Sequence, residues 1–293
     1  MTPHQPPIGR CHRSLAKAFS PTVLHDIARA GHSPFLSDLI TSCGLSRSIT
    51  RRTTLREVFE AIYKIISHGD RPEYVYKNAL IAKRLLARHR IDSALALTEF
   101  RAGVSKADVV IVNGTSTAYE IKSDFDSFER LPRQLASYTE VFDRIYLVTG
   151  RHNLTAAHAV LPDHVGLLEL TPRYTIKTHR FALSNGHNVN PSVLFDSLRK
   201  DEYVPIIQGQ FGCLPEASNV HMHSRCKEMF SALPRRTCHD IAFKQIGLKR
   251  GPSIGKNTIS SVPHALHSLV LTARPSESSL RSFVHALHSP YTV

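Results

Sequence analysis

Long apolar runs are absent from the 293 residues. None approaches the ~18 residues that a membrane-spanning helix needs, and residues 1–7 are polar and proline-rich with no apolar signal-peptide core. A soluble, cytoplasmic protein with no membrane partner is expected. Paired cysteines are missing as well. Cys11, Cys43, Cys213, Cys226 and Cys238 are odd in number and include no Cys-x-x-Cys pair, which argues against a disulfide framework or a zinc ribbon and makes reduced thiols the default. Acidic residues are scarce, 24 against 37 Lys plus Arg. The resulting pI near 9.8 favours a polyanionic partner, although basic charge alone selects none in particular.

The apolar fraction is 42%, with 13 Phe, enough for one large or two small packed domains. The most informative stretch runs over residues 106–150. Asp108 opens the apolar run Val109, Val110, Ile111, Val112; Asn113-Gly114 is a turn signal; Thr117 to Ile121 reads as the returning strand. Strand side chains alternate, so Glu120 and Lys122 share one face while Tyr119 and Ile121 take the other. Register then decides the chemistry. A two-residue loop sets Asp108 opposite Tyr119, whereas a three-residue loop or a bulge near Thr115 sets it opposite Glu120; we expect the latter. Two carboxylates and an ammonium on a mostly apolar hairpin are costly unless compensated, and a divalent cation bound through oxygen compensates them. An ordinary ion-pair ladder on a solvated sheet face is the competing explanation.

An acidic residue at a strand end followed by a strand bearing Glu-x-Lys resembles the pattern of the PD-(D/E)XK nuclease superfamily, here Asp108 and Glu120-Ile121-Lys122. Ala107 stands where the pattern has proline. Gln134-Leu-Ala-Ser-Tyr138, on the next predicted helix, resembles the Gln-x-x-x-Tyr motif of RecB-type members. The runs around Tyr74, Ala107 and Tyr119 are similar to a small bacterial branch of the superfamily. The resemblance implies a restriction-endonuclease-like α/β core, a mixed central sheet flanked by helices. It also implies metal-dependent phosphodiester hydrolysis with Mg²⁺ or Mn²⁺ on Asp108, Glu120 and the Ile121 carbonyl, Lys122 positioning water, and Gln134 and Tyr138 at the substrate strand. Some RecB-type members carry an iron–sulfur cluster; the cysteine spacing here recommends none. The implied partner is nucleic acid, DNA in the first instance, and a role in phage or mobile-element defence is compatible. The alternative is a non-catalytic nucleic-acid-binding or protein-interaction module on a nuclease-like fold.

Elsewhere the chain reads as a flexible leader over residues 1–20, a helical lead-in over 21–69, the nuclease core over 70–183, a helical appendage over 184–250 and a partly disordered tail over 251–293. Thr54-Leu-Arg-Glu57 matches a capping box. Asp70 is expected to cap a second helix carrying Glu73 in its first turn, where the helix dipole explains the carboxylate as well as a metal would. Glu99, near the end of the first strand, is a further ligand candidate, with cross-strand pairing to Lys106 or Arg101 preferred. The helix holding Gln134 and Tyr138 has a buried stripe in Leu131, Leu135 and Phe142, which leaves the pair free for the cleft edge. His221, His223, Cys226, Cys238 and His239 are suitable zinc ligands, but in a chain with 18 histidines their spacing matches no common finger. His-Ala-Leu-His-Ser occurs at 264–268 and again at 285–289; apolar patches there are expected to form short helices docking on the body or on a protein partner.

Overall fold

The computed structural model describes residues 8–46, 49–50, 52–86, 94–251 and 256–291. Their contacts divide the chain into two units. One holds the described residues of 1–87, 123–125 and 252–293; the other holds those of 88–122 and 126–251.

The first unit is helical: α1 (Ile8–Ala16), α2 (Pro21–Ala30), α3 (Pro34–Ser42), α4 (Leu55–Ile66), α5 (Glu73–Leu80), then α12 (Lys256–Ser261), α13 (His267–Ala273) and α14 (Glu277–Leu287) near the C-terminus. The capping box forms as expected, Thr54 Oγ1 accepting from the Glu57 N–H and Glu57 Oε2 from the Thr54 N–H. Asp70 does not cap α5. Pro72 holds the N-cap with extended backbone and no side-chain bond, and the helix passes at Leu80 into a π-helical turn over Ile81–Leu86. Two expected boundaries are corrected. The described part of the leader is a helix followed by a 3-10 turn, with Leu15, Ala18 and Phe19 buried, because those three apolar side chains outweigh the prolines, which precede the helix. Residues 1–7 lie outside the described set. The tail is likewise helical over its described residues: Leu280, Phe283 and Leu287 of α14 recur at helical spacing and bury their face, Phe283 meeting Phe59 with ring centroids 6.4 Å apart. Lead-in and tail therefore form one unit.

The second unit is α/β. Its six-stranded mixed sheet comprises β1 (Leu95–Ala102), β2 (Ser105–Val112), β3 (Ser116–Lys122), β4 (Arg144–Thr149), β5 (Gly166–Leu170) and β6 (Ile176–Arg180), in spatial order 1-2-3-4-5-6. Pairings β3–β4 and β4–β5 are parallel and the rest antiparallel. Helices α6 (Leu131–Thr139), α7 (Leu154–Val160), α8 (Pro191–Phe195), α9 (Lys200–Phe211), α10 (Asn219–Ser231) and α11 (Arg235–Lys249) complete it. The appendage is not separate from the sheet: Phe230, Phe243 and Ile246 join Phe100, Phe142 and Leu147 in one hydrophobic cluster, so sheet and appendage share a core. Sequence reading missed β6, whose residues are half exposed with Ile176 the one strongly apolar member, and α9, which carries Pro205 inside it.

Of the zinc candidates, His221 and His223 are exposed, and the other three serve this packing. Cys226 is buried against Met222, and Cys238 Sγ donates to the Phe230 carbonyl. His239, fully buried, bonds through Nε2 to Ser116 Oγ at 2.7 Å and through Nδ1 to Asp240 at 2.9 Å. Ser116 Oγ also accepts from the Asp143 N–H at 3.0 Å, which pins α11 to the start of the β3 hairpin arm and to β4.

Candidate active site

The hairpin register is the one that brings the acids together. Val112 pairs with Ser116 and Val109 with Tyr119, so the loop has three residues, Asn113, Gly114 and Thr115. Gly114 at φ +68° supplies the left-handed residue such loops need. One step beyond Val109–Tyr119 the register sets Asp108 opposite Glu120. There the ladder gives way to a side chain, and the Ile121 N–H donates to Asp108 Oδ2 at 2.7 Å.

Glu120 and Lys122 are buried, and Lys122 Nζ lies 3.0 Å from Glu120 Oε1. The same ammonium donates to Gln134 Oε1 at 2.9 Å. Tyr138 Oη lies 2.6 Å from both Glu120 Oε2 and the Lys106 carbonyl. Sequence spacing thus brought Gln134 and Tyr138 to the Glu-x-Lys strand, but the expectation that both line an open cleft edge needs correcting for Tyr138. Its ring is fully buried in the sheet core with Leu131, Leu135 and Phe142. An aromatic body extends the stripe while its hydroxyl finds polar partners.

Burial raises the pKa of Glu120 above the ordinary 4.5, against the opposing pull of Tyr138, Lys122 and Gln134. Burial, with the Glu120 and then the Asp108 charge, raises that of Tyr138. A phenol has one proton and cannot donate to two acceptors at once, so the Tyr138 hydroxyl is shared between Glu120 Oε2 and the Lys106 carbonyl. Because the folded protein holds the Glu120 proton more tightly than the unfolded chain, its contribution to stability is fully present below about pH 4.5 and is lost as pH rises through the folded pKa. We therefore expect Glu120→Gln to gain stability relative to wild type as pH is raised above that value in EDTA, measured by urea unfolding. A constant difference across the pH range contradicts this assignment.

Glu99 joins the site from β1. It has φ +52°, a left-handed conformation that costs a non-glycine residue about 1–3 kcal/mol. The strain shifts the alternation of β1, so that Leu95 and Leu97, then Phe100 and Ala102, all enter the same core. A signal for this slip is visible in the sequence as an apolar phase that jumps at Glu99. The register sets Glu99 opposite Asp108, and a carboxylate oxygen of each lies within 4.8 Å of the other. Like charges facing across strands are destabilising. Oxygens at that separation suit a cation held at about 2.0–2.6 Å from each. Glu73 opens α5 in the first unit, where its carboxylate pairs with Lys77 one turn on.

Residues 67–247 match the family described as bacteriophage P4 protein cII. Protein cII of Enterobacteria phage P4 itself is 36% identical over 64 residues, which span 22% of this chain and 24% of the phage protein. A solved structure, a protein of unknown function from Silicibacter pomeroyi, aligns over 46% of this chain and 88% of its own at 19% identity and a TM-score of 0.31, too loose an overlap to bear on fold or function. The family match runs from the end of α4 through the whole sheet to α11, well over half of the chain, and the protein belongs to the bacteriophage P4 protein cII family.

Proposed function

We propose that the protein is a metal-dependent nuclease of the PD-(D/E)XK type that hydrolyses phosphodiester bonds in DNA. The observation that carries this is the position of Lys122 Nζ, buried between Glu120 Oε1 at 3.0 Å and Gln134 Oε1 at 2.9 Å on the strand facing Asp108. An ion-pair ladder on a solvated face would leave Lys122 and Glu120 exposed, and they are buried.

Asp108, Glu120 and the Ile121 carbonyl are the groups assigned to Mg²⁺ or Mn²⁺, with Glu99 added by its approach to Asp108. The bound cation would neutralise charge on the phosphate and lower the pKa of a bound water. The chain's own side chains do the rest. Lys122 orients the attacking water and places positive charge beside the phosphorus. Gln134 fixes the rotamer of Lys122. Tyr138 holds Glu120 in place from the core side.

Gln134 is the sharpest test of that division, because it touches Lys122 and is only half buried. Gln134→Ala is expected to lower cleavage at least about tenfold, on the order of 1.4 kcal/mol in the transition state, with the urea midpoint unchanged. Normal cutting, or loss of activity tracking loss of fold, returns Gln134 to a structural role. The rival, a non-catalytic nucleic-acid-binding module, requires binding in EDTA and no cleavage in either metal.

A further inference from the structure

Across the sheet from Lys122 lies a cleft that the hydrolytic residues do not use. It encloses about 680 Å³ and is lined by Arg151, Leu154, Arg173, Lys177 and His179, with Glu169 also among its lining residues. Arg151 follows the end of β4, Arg173 sits in the β5–β6 turn and Lys177 lies on β6. All three cations are exposed. The one carboxylate among the lining residues, Glu169, is buried and bonded to His179 Nε2 at 2.8 Å, so it does little to offset the outward positive charge. Three cations from three separate segments surround a wide, open space, an arrangement suited to an extended polyanion.

The register ties this cleft to the proposed reaction. Lys122 pairs with Thr149, Thr149 with Glu169, and Glu169 with Lys177. Register partners present their side chains on the same face. Lys122 and Glu169 are therefore two strands apart, roughly 10 Å at the usual strand spacing. Phosphates along one strand of a duplex recur about every 3.4 Å along the axis. A strand with its scissile phosphate at Lys122 thus brings a neighbouring phosphate of the same backbone to the cleft.

We propose that Arg151, Arg173 and Lys177 form a subsite for the phosphodiester backbone of a polynucleotide, flanking the reacting bond and taking no part in the chemistry. This rests on the nuclease reading for the position of the scissile phosphate; the binding itself does not require cleavage. Cations spread over an open cleft favour a polymer over a mononucleotide, which an enclosed pocket would hold better.

The test is fluorescence anisotropy of the full chain with a labelled 20-base-pair DNA duplex in EDTA, over a salt series. R173S/K177S is expected to weaken binding at least about tenfold at low salt and to flatten the slope of log K against log salt by about 1.8, two contacts at roughly 0.9 each. R151S tests the third cation by itself and should flatten the slope by about 0.9. A control removing two exposed cations elsewhere in the same unit, R225S/K244S, is expected to bind as wild type. An unchanged slope in R173S/K177S, equal losses in the control, absence of duplex binding by the wild type, or competition by AMP as effective per phosphate as by unlabelled duplex would each overturn the subsite. Cleavage is read separately. A wild type that binds through these residues but cuts nothing keeps the subsite and sinks the nuclease. A wild type that cuts while R173S/K177S binds and cuts normally does the reverse.

Discussion

Lys122→Ala is expected to lower cleavage by at least about 10²-fold while leaving metal affinity within a few-fold of wild type, and Glu120→Ala is expected to abolish both. The two side chains touch, at 3.0 Å, yet only the carboxylate offers a lone pair to a cation. Removing Lys122 also strands Glu120 in a buried site, and breaking one partner of such a pair typically costs about 3–5 kcal/mol. Folding must therefore be measured beside activity. Lys122→Arg keeps the charge and is expected to restore much of the stability, but its planar head cannot reproduce the ammonium's position between Glu120 and Gln134. Isothermal titration of Mn²⁺ into each variant, together with single-turnover cleavage, separates the roles. Wild-type cutting by a folded Lys122→Ala would remove Lys122 from the chemistry. Unchanged metal binding by Glu120→Ala would remove Glu120 from the ligands.

The largest stability effect is expected at Asp143. Its side chain is buried and accepts from Ser184 Oγ at 2.7 Å, Thr115 Oγ1 at 2.8 Å, the Gly186 N–H at 2.8 Å and the Asn185 N–H at 3.2 Å, with Arg236 at 3.3 Å. One carboxylate thus joins the hairpin loop, the head of β4, the 184–186 turn and α11. Burial alone would raise its pKa, but the Ser184, Thr115 and Gly186 donors and His239 hold it below the ordinary 3.8. Asp143→Ala leaves several donors without an acceptor and is expected to cost about 3 kcal/mol or more at pH 7. For a depressed carboxylate the contribution is present above its ordinary pKa and is lost as pH falls through the folded value. The gap between wild type and Asp143→Ala in urea melts should therefore narrow below about pH 4. A gap under 1 kcal/mol at pH 7, or one that widens in acid, contradicts the role given to this residue.

The parts of the fold legible in the sequence are those fixed by local chemistry. Asn113-Gly114 announced a hairpin, the parity of Glu120 and Lys122 fixed their common face, and Thr54 with Glu57 fixed a helix start. Gln134 and Tyr138 were found because four residues of helix return to the same side. What escaped was decided by distant partners. Nothing local marks Asp143 as a hub, since its donors come from 115, 184, 185, 186 and 236. His239 resembled a metal ligand because spacing cannot reveal that Ser116, more than a hundred residues earlier, waits for its Nε2. The leader looked loose because of its prolines and basic residues and the tail because it is rich in Ser, Pro and His, and their burial depends on packing into one unit. Edge strand β6, half exposed and mostly polar, carries too weak an alternation to read.

The central claim is that Asp108, Glu120 and Lys122 cut a phosphodiester bond with a divalent metal. It is tested most directly by incubating the full chain and Lys122→Ala with linear, circular and single-stranded DNA and with RNA, in Mg²⁺, in Mn²⁺ and in EDTA, and resolving the products on a denaturing gel. The account predicts DNA fragments from the wild type with metal, none in EDTA and none from Lys122→Ala. Intact substrate in every lane from a folded wild type that still binds DNA would contradict it.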